Sequence, residues 1–247
     1  MIASAQGWPG LRPLGRLQGG ARAEVWRAED AAGGQWVLKT TQHGEAALAW
    51  LAPVQAAARQ AGFVVPGLLR SPSGLWAPGG VTCEPFVPGR AAGPADLPAL
   101  GPRLRAFHAA ALALPPRPGL PALAFGADLP ADLPAPLAAQ IRAALAPVAG
   151  AAAGAVHGDL NPGNVILTEA GPALIDWDEA RRDALFLDEI ATRPASDAES
   201  LAALAVEILS CWRPEPARAR ALAQRLAGAL GAGQPARLGR AGPSEAG

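Results

Sequence analysis

One short segment carries the residue types best suited to chemistry. It reads HGDLNPGN at residues 157–164 and is followed by IDWD at residues 175–178. Asp159 offers a carboxylate that can accept a proton. Asn164 and Asp176 offer amide and carboxylate oxygens, which are the ligands that hard divalent cations prefer. The segment therefore predicts a general base beside a metal site.

Composition sets this segment apart from the rest of the chain. Asn161 and Asn164 are the only asparagines among 247 residues, and Lys39 is the only lysine beside twenty arginines. In a chain so rich in Ala, Gly, Pro, Leu and Arg, these rare residues are candidates for positions where the chemistry forbids replacement. Residues 151–187 also carry six acids and only two arginines, which suits a Mg²⁺ site.

The surrounding pattern predicts two structural regions. Short apolar runs between glycine turns in the first ninety residues predict a five-stranded sheet with one crossing helix. The predicted strands span residues 11–18, 24–29, 35–40, 74–77 and 81–86, with the helix over 43–61. From Asp96 onwards the periodicity becomes helical. The predicted helices span residues 97–114, 137–148, 184–191, 197–211 and 215–230.

A predicted hairpin brings the two metal ligands together. Its strands are residues 165–167 and 173–175. Val165 and Ile175 are expected to pair at its base, so that Asn164 and the following acid lie at the same end. The proline-rich stretch 114–136 is expected to be a loop draped on the surface.

The motif resembles that of a known family. HGDLNPGN…LIDWDEA is similar to the catalytic loop and metal-binding segment of the aminoglycoside phosphotransferase and choline kinase family, which shares the protein-kinase fold. The resemblance implies an α+β, two-lobed fold, with a small antiparallel β N-lobe carrying one helix and a mainly helical C-lobe carrying the catalytic hairpin. It implies a nucleotide-binding lobe over residues 1–88, a catalytic and substrate lobe over 89–231 and a disordered tail over 232–247.

The resemblance also implies an activity. Members of the family transfer the γ-phosphate of ATP, with Mg²⁺, to a hydroxyl of a small molecule. Asp159 would be the base, and Asn164 and Asp176 the metal ligands. Lys39 resembles the strand lysine that contacts the α- and β-phosphates, and Glu45 resembles the helix glutamate that pairs with this lysine.

Two further segments are expected to bind the nucleotide. Residues 17–26 resemble the glycine-rich phosphate loop through Gly19 and Gly20, although only the second of these matches the three-glycine pattern of protein kinases. The hinge between the lobes, where backbone groups would meet adenine, is represented by Glu84, Phe86 and Val87. ATP and Mg²⁺ are thus the expected cofactors.

Other polar residues near the motif are expected to have supporting roles. His157 is expected to hold the loop in place, and Asp183 and Asp188 to lock the following helix to it. Asn161 stands where relatives often have histidine or lysine and could contact the γ-phosphate. Asp178 is expected to be solvated.

The bulk properties exclude several function classes. Net charge is zero, so nothing indicates attraction to nucleic acid or to a membrane surface. The two cysteines are too few for a disulfide framework. The first residues do not form a signal peptide, and the longest apolar stretch is interrupted by proline and glycine. A soluble cytoplasmic protein with no nucleic-acid or membrane partner is expected, and its oligomeric state is open.

Two other functions compete with a small-molecule kinase. A protein kinase is disfavoured because the eleven residues between Asp176 and Asp188 leave little room for an activation loop. A catalytically inactive kinase-fold module that binds a nucleotide or a partner would usually have lost the base, the lysine or a metal ligand, and all are present. The acceptor stays open among aminoglycosides, sugars, amino alcohols and other metabolites, because the substrate lobe is not acidic overall and the chain has no tyrosine.

Overall fold

An antiparallel sheet forms the N-terminal part of the protein. The computed structural model describes residues 7–17, 22–125 and 129–232. The sheet has four strands, which are adjacent in chain order. They are β1 (Arg12–Arg16), β2 (Val25–Glu29), β3 (Gln35–Thr40) and β4 (Val81–Pro85). Lys39 lies opposite Val25 on one side and Thr82 on the other, so it is carried by an inner strand.

The sheet has one strand fewer than the sequence predicts. Residues 74–77 form bends instead of a strand. Gly74 adopts a φ of 81° and closes a turn in which the Ser71 amide donates to the Leu75 carbonyl. The backbone amides of Trp76 and Ala77 donate to the carboxylate of Glu45, so they are not available for hydrogen bonds to a neighbouring strand. The local turn chemistry therefore overrides the apolar pattern.

The predicted helix over 43–61 is divided into two. The segments are α1 (Glu45–Ala49) and α2 (Leu51–Gln60), which meet at Trp50. Pro53 has no amide hydrogen to donate to the carbonyl of Ala49, which breaks the helical ladder at this step.

Alternation along the central strand separates a packed face from a polar face. Leu38 is fully buried in an apolar cluster on one side of the sheet. The cluster comprises Trp8, Ala28, Leu38, Val81 and Cys83. Because successive side chains point to opposite faces, Lys39 is directed away from this cluster.

The C-terminal part is mainly helical. Its helices are α3 (Gly101–Ala111), α4 (Ala135–Leu145), α5 (Phe186–Glu189), α6 (Asp197–Cys211) and α7 (Pro216–Ala232). The bounds of α6 match the prediction, because Ser196 and Glu199 form a capping box that fixes its start. None of the described helices is long and apolar enough to cross a membrane.

Short strands connect these helices to the motif. β5 (Arg90–Ala91), β7 (Val165–Thr168) and β8 (Gly171–Leu174) form one sheet, and β6 (Ala153–Val156) pairs with β9 (Arg181–Ala184). The hairpin register differs by one residue from the prediction, since Val165 lies opposite Leu174. Ile175 instead donates its amide to the Asn164 carbonyl at 3.1 Å, which still brings the predicted metal ligands to one end.

Strand β9 also corrects a predicted helix. The helix expected over 184–191 is reduced to α5, because residues 181–184 pair with β6. The small residues of β6 have little strand propensity of their own, so this pairing is set by tertiary structure.

Candidate active site

The loop between β6 and β7 presents Asp159 to solvent. The Asp159 carboxylate accepts hydrogen bonds from the Nδ2 atoms of Asn161 at 3.0 Å and Asn164 at 2.9 Å. Asn161 also accepts from the Gly163 amide at 2.8 Å and so caps the 3₁₀ turn Pro162–Asn164. The only two asparagines of the chain thus orient the predicted base. Contact of Asn161 with a γ-phosphate stays a prediction.

The buried carboxylate of Asp188 holds the start of this loop through backbone hydrogen bonds. Asp188 accepts from the amides of His157 at 2.7 Å and Gly158 at 2.9 Å, and it bonds the His108 ring at 3.1 Å. Burial by itself would raise the pKa of Asp188, but the hydrogen bond and the charge of His108 hold it below its usual value. The predicted locking role of Asp188 is confirmed. The His157 ring also bonds the Ile175 carbonyl at 2.9 Å, which ties the loop to the metal-binding segment.

Asp183 has a different role from the one predicted. It accepts from the amides of Leu123 and Ala124 at 2.9 and 3.0 Å, and from Nε of Arg181 at 2.7 Å. Asp183 therefore anchors the proline-rich linker, and the prediction that it locks a helix to the catalytic loop is wrong.

The two predicted metal ligands lie next to each other at the open end of the hairpin. Asp176 is the only non-glycine residue in the described part of the chain with a positive φ, at 61°. Strained backbone of this kind is concentrated at functional sites. Asn164 is almost fully buried and commits its Nδ2 to Asp159, so its Oδ1 is the atom that can bind a cation.

Lys39 reaches across to this segment from the sheet. Its Nζ lies 2.6 Å from Oδ1 of Asp176 and 2.9 Å from Oδ2 of Asp178. Burial alone would lower the pKa of Lys39, but the two carboxylates raise it above its ordinary value. Burial would likewise raise the pKa of Asp176, and the lysine charge holds it below its ordinary value. Asp178 is thus an ion-pair partner, and the prediction that it is merely solvated is wrong.

Glu45 does not pair with Lys39 in the described structure. Its carboxylate accepts from the backbone amides of Trp76 and Ala77 at 3.0 Å. The connection from β3 is so short that Glu45 becomes the first residue of α1. From there its side chain reaches the turn before β4, so the expected pair of Lys39 and Glu45 does not form in this structure.

The donor set fits Mg²⁺ bound together with phosphates. The described residues contain no group of three or more His, Cys, Asp or Glu side chains arranged to hold a metal. Asn164 and Asp176 offer two oxygen donors, with Asp178 beside them. Mg²⁺ is usually bound by one or two carboxylates, with water and substrate phosphates completing its octahedron, so a small protein donor set is appropriate.

A cavity of about 390 Å³ opens between the catalytic loop and helices α6 and α7. Its carboxylates are Asp159, Asp176, Asp178, Glu179, Glu207 and Glu215. Its cations are Arg22, Lys39 and Arg218. The lining is therefore acidic on balance. Four of these six acids come from residues 159–179, the segment that is already acidic in the sequence, and only Glu207 and Glu215 come from the helical region after it.

Arg22 closes one side of the cavity. Its Nε lies 2.7 Å from Glu215, its Nη1 contacts Glu179, and its Nη2 lies 3.3 Å from the sulfur of Cys211. Arg22 lies within the segment 17–26 that is predicted to hold phosphates, so a residue of this loop contacts the start of α7. The predicted phosphate-loop glycines Gly19 and Gly20 lie outside the described residues.

The predicted hinge residues separate into two groups. Glu84 lies opposite Val37, which places it on the same sheet face as Lys39. Phe86 and Val87 instead line a second, largely apolar cavity of about 730 Å³. The Arg27 guanidinium also lies 4.6 Å from the centre of the Phe86 ring. Among the described residues, none of these three hinge positions lines the cavity that contains Asp159.

The pKa of Glu84 leads to a testable stability effect. Burial raises it from 4.5 to about 8, the charge of Lys39 opposes the rise, and the nearby Asp176 and Asp178 add to it. Between these pH values the folded protein keeps a proton that the unfolded chain has lost. The free energy of unfolding therefore falls as pH rises, by at most about 1.4 kcal/mol per pH unit for one proton.

We expect Glu84→Gln to remove this decline. The variant should match the parent protein near pH 4.5 and exceed it in stability increasingly up to pH 8. Urea unfolding of both proteins at several pH values measures the difference. A difference that does not change with pH would show that Glu84 is ordinarily ionised in the folded state.

Comparison with known proteins agrees with the geometry. Residues 14–237 match the model of the phosphotransferase enzyme family. No curated protein matches the chain significantly. Many solved structures do match it.

Amicoumacin kinase hAmiN, solved in complex with AMP-PNP, Ca²⁺ and Ami, is 13% identical; the match covers 88% of this chain and 87% of the kinase, with a TM-score of 0.59. A thermostable mutant of aminoglycoside phosphotransferase APH(4)-Ia is 16% identical over 91% and 96% of the two chains, with a TM-score of 0.58. A choline/ethanolamine kinase family protein from Mesorhizobium loti is 20% identical over 89% and 88%, with a TM-score of 0.54.

At these identities the solved structures establish a shared fold, and the family model covers most of the chain. The chain belongs to the phosphotransferase enzyme family and has its two-lobed, protein-kinase-like α+β fold.

Proposed function

We propose that this protein is a small-molecule kinase that transfers the γ-phosphate of ATP to a hydroxyl group with the help of Mg²⁺. The observation that carries the proposal is the convergence of Lys39, Asp159, Asn164 and Asp176 on one cavity. These are the parts that phosphoryl transfer requires: a phosphate-binding cation, a group that aligns the hydroxyl and oxygen ligands for the metal.

Each residue has a distinct proposed task. Asp159 accepts the proton of the acceptor hydroxyl or orients that hydroxyl toward the γ-phosphorus. Asn164 and Asp176 would hold Mg²⁺, which when bound neutralises charge on the phosphate oxygens. Lys39 would bind the α- and β-phosphates. Because Lys39 is paired with Asp176 and Asp178 in this structure, it would have to exchange part of this pairing for phosphate oxygens.

The glycines and the hinge complete the proposed nucleotide site. Gly19 and Gly20 would approach the phosphates, and the hinge backbone from Glu84 to Val87 would meet the base. Glu45, which bonds the backbone before β4, would support the nucleotide lobe only indirectly.

Lys39→Arg should reduce activity strongly although it preserves the charge. Nζ of Lys39 is a compact ammonium that fits between two carboxylates, whereas a guanidinium is planar and larger. We expect kcat/KM for ATP to fall by roughly 100-fold or more, equivalent to about 3 kcal/mol. Steady-state kinetics measure the loss. Arg27→Lys serves as the control, because Arg27 lies on the neighbouring strand β2 and on the same sheet face, but its guanidinium is stacked on Phe86. A fully active Lys39→Arg enzyme would contradict the assigned role.

ADP release from Mg·ATP across a panel of acceptors tests the function. The panel contains aminoglycosides, amino alcohols, neutral sugars and a cell metabolite extract, with a no-acceptor reaction beside them. The acidic lining favours acceptors that carry amino groups, so these are expected to give the highest kcat/KM. Acceptor-dependent ADP release supports the proposal. Nucleotide binding without release in any reaction would favour the inactive binding module.

A further inference from the structure

Arg117 is a buried arginine in the proline-rich linker that the sequence places on the surface. Only 2% of its surface is exposed. The linker bends inward at this point, and its Pro115 carbonyl accepts a hydrogen bond from Nε1 of Trp50 at 2.7 Å. The Trp50 ring centre lies 5.9 Å from the guanidinium. The prediction of a wholly superficial loop is therefore wrong at Arg117.

The guanidinium bonds backbone carbonyls instead of a carboxylate. Its Nη1 donates to the carbonyls of Trp177 at 3.2 Å, Asp178 at 2.8 Å and Ala180 at 2.7 Å. Its Nε donates to the Ala47 carbonyl at 3.1 Å. No carboxylate forms an ion pair with Arg117 in the part of the chain that the structure describes, and its Nη2 is buried there without a hydrogen-bond partner.

Burying a cation without a counter-ion costs free energy, which indicates that Arg117 has a specific role in the protein. Burial lowers the pKa of Arg117 to about 10, while the charges of Asp178 and Glu179 oppose the fall. Burying a charge without a counter-ion is unfavourable unless the hydrogen bonds are extensive. A neutral, well-packed side chain would fill the same space at lower cost.

The acceptor carbonyls identify what Arg117 holds. Three of them belong to residues 177–180, which directly follow Asp176 and its strained backbone. The same segment carries Asp178, which pairs with Lys39. The fourth carbonyl belongs to α1, so a single side chain ties the helix of the N-terminal part to the metal-binding segment.

We propose that Arg117 is a positioning residue that fixes the Asp176–Asp178 segment for binding of a Mg²⁺–nucleotide complex. The inference rests on the proposed function, because it concerns the same metal site. Lysine cannot replace Arg117, since one ammonium cannot reach carbonyls on two segments in the geometry of a planar fork. Residues that orient metal ligands typically change metal affinity or activity by roughly 10- to 100-fold when replaced.

Mg²⁺-dependent nucleotide binding by the full chain tests this role without requiring turnover. Calorimetric titration of a non-hydrolysable ATP analogue at increasing Mg²⁺ gives the Mg²⁺ concentration for half-maximal affinity. Arg117→Lys is expected to raise this concentration by roughly 10- to 100-fold. Arg117→Ala should do the same, and added guanidinium at millimolar concentration should restore part of the loss, whereas ammonium should not.

Arg182→Met provides a matched control. Arg182 also donates to backbone carbonyls, those of Leu112, Leu114 and Ala153, but it does not contact the metal-binding segment. This variant should lose stability without changing the Mg²⁺ requirement. If Arg117→Lys loses stability in the same way and keeps the parent Mg²⁺ requirement, the positioning role is overturned.

Hydrogen exchange distinguishes this failure from failure of the proposed function. Backbone amides of residues 176–180 should exchange at least about tenfold faster in Arg117→Lys, since their segment loses its anchor. Unchanged exchange overturns the inference even if the protein is a kinase. A parent protein that binds no nucleotide in the presence of Mg²⁺ overturns both.

Discussion

Asp159→Asn is expected to lower kcat by roughly 10²- to 10⁴-fold, the usual contribution of a general base. The substitution preserves size and leaves an oxygen that can still accept from Asn161 or Asn164, so the loop should keep its shape. What is lost is the carboxylate that takes the hydroxyl proton. ATP affinity should change little, because Asp159 is exposed at the mouth of the cavity and is not a proposed metal ligand.

The control for this prediction is Glu169→Gln. Glu169 is an exposed acid in the turn of the same hairpin and lies outside the cavity that contains Asp159. It should retain full activity. Rapid-quench kinetics with saturating acceptor would separate the chemical step from product release. If Asp159→Asn kept the chemical rate of the parent enzyme, Asp159 would not be the base.

Asp176→Asn is expected to reduce kcat/KM by about 10³-fold or more. The transition state loses charge stabilisation by the metal, which raises the activation free energy by several kcal/mol. Asparagine retains an oxygen ligand but not the negative charge. It also removes one of the two carboxylates that pair with Lys39. Part of the activity should therefore return as the Mg²⁺ concentration is raised.

Activity measured over a range of Mg²⁺ concentrations checks this second prediction. Asp183→Asn is a suitable comparison, because this buried acid holds the linker rather than the metal-binding segment. It should lower stability and leave the Mg²⁺ dependence unchanged. An Asp176→Asn enzyme with the Mg²⁺ dependence of the parent would exclude Asp176 as a ligand.

The catalytic loop could be predicted because its geometry is local. Asp159 and Asn164 are five residues apart, and a tight turn brings them within hydrogen-bond distance whatever the rest of the chain does. The hairpin carries Asp176 to the same end by short-range pairing. Of the three residues singled out by their rarity, Lys39 and Asn164 line one cavity, and Asn161 bonds Asp159, which lines it too.

Long-range partners could not be predicted in the same way. The family resemblance pairs Glu45 with Lys39, yet the short connection directs Glu45 to the backbone amides of residues 76–77. Asp178 becomes the second partner of Lys39, and nothing in its immediate sequence distinguishes it from a solvated turn residue. Such pairings depend on how the two parts of the molecule meet.

Arg22 and Arg117 show the same limit. Twenty arginines occur in the chain, so composition could not single out Arg22, which lines the cavity, or Arg117, which bonds the backbone of the metal-binding segment. Arg22 forms ion pairs with Glu179 and with Glu215 at the start of α7. Arg117 is buried, although the sequence predicts that its linker lies on the surface. The strands β6 and β9 were missed for a related reason, since the residues that pair between them, from Val156↔Arg181 to Ala153↔Ala184, are 25 to 31 positions apart in the sequence.

Transfer of label from ATP radiolabelled at the γ-phosphate tests the central claim most directly. The enzyme, Mg²⁺ and a pooled set of amine-bearing and neutral hydroxyl compounds are combined, and the label is separated into inorganic phosphate, protein and organic phosphate ester. We predict Mg²⁺-dependent label in an ester fraction that disappears with Asp159→Asn and persists with Glu169→Gln. Bound ATP whose label never leaves the nucleotide, or label that reaches an ester equally well without Asp159, would contradict the assignment of this site as a phosphotransferase centre.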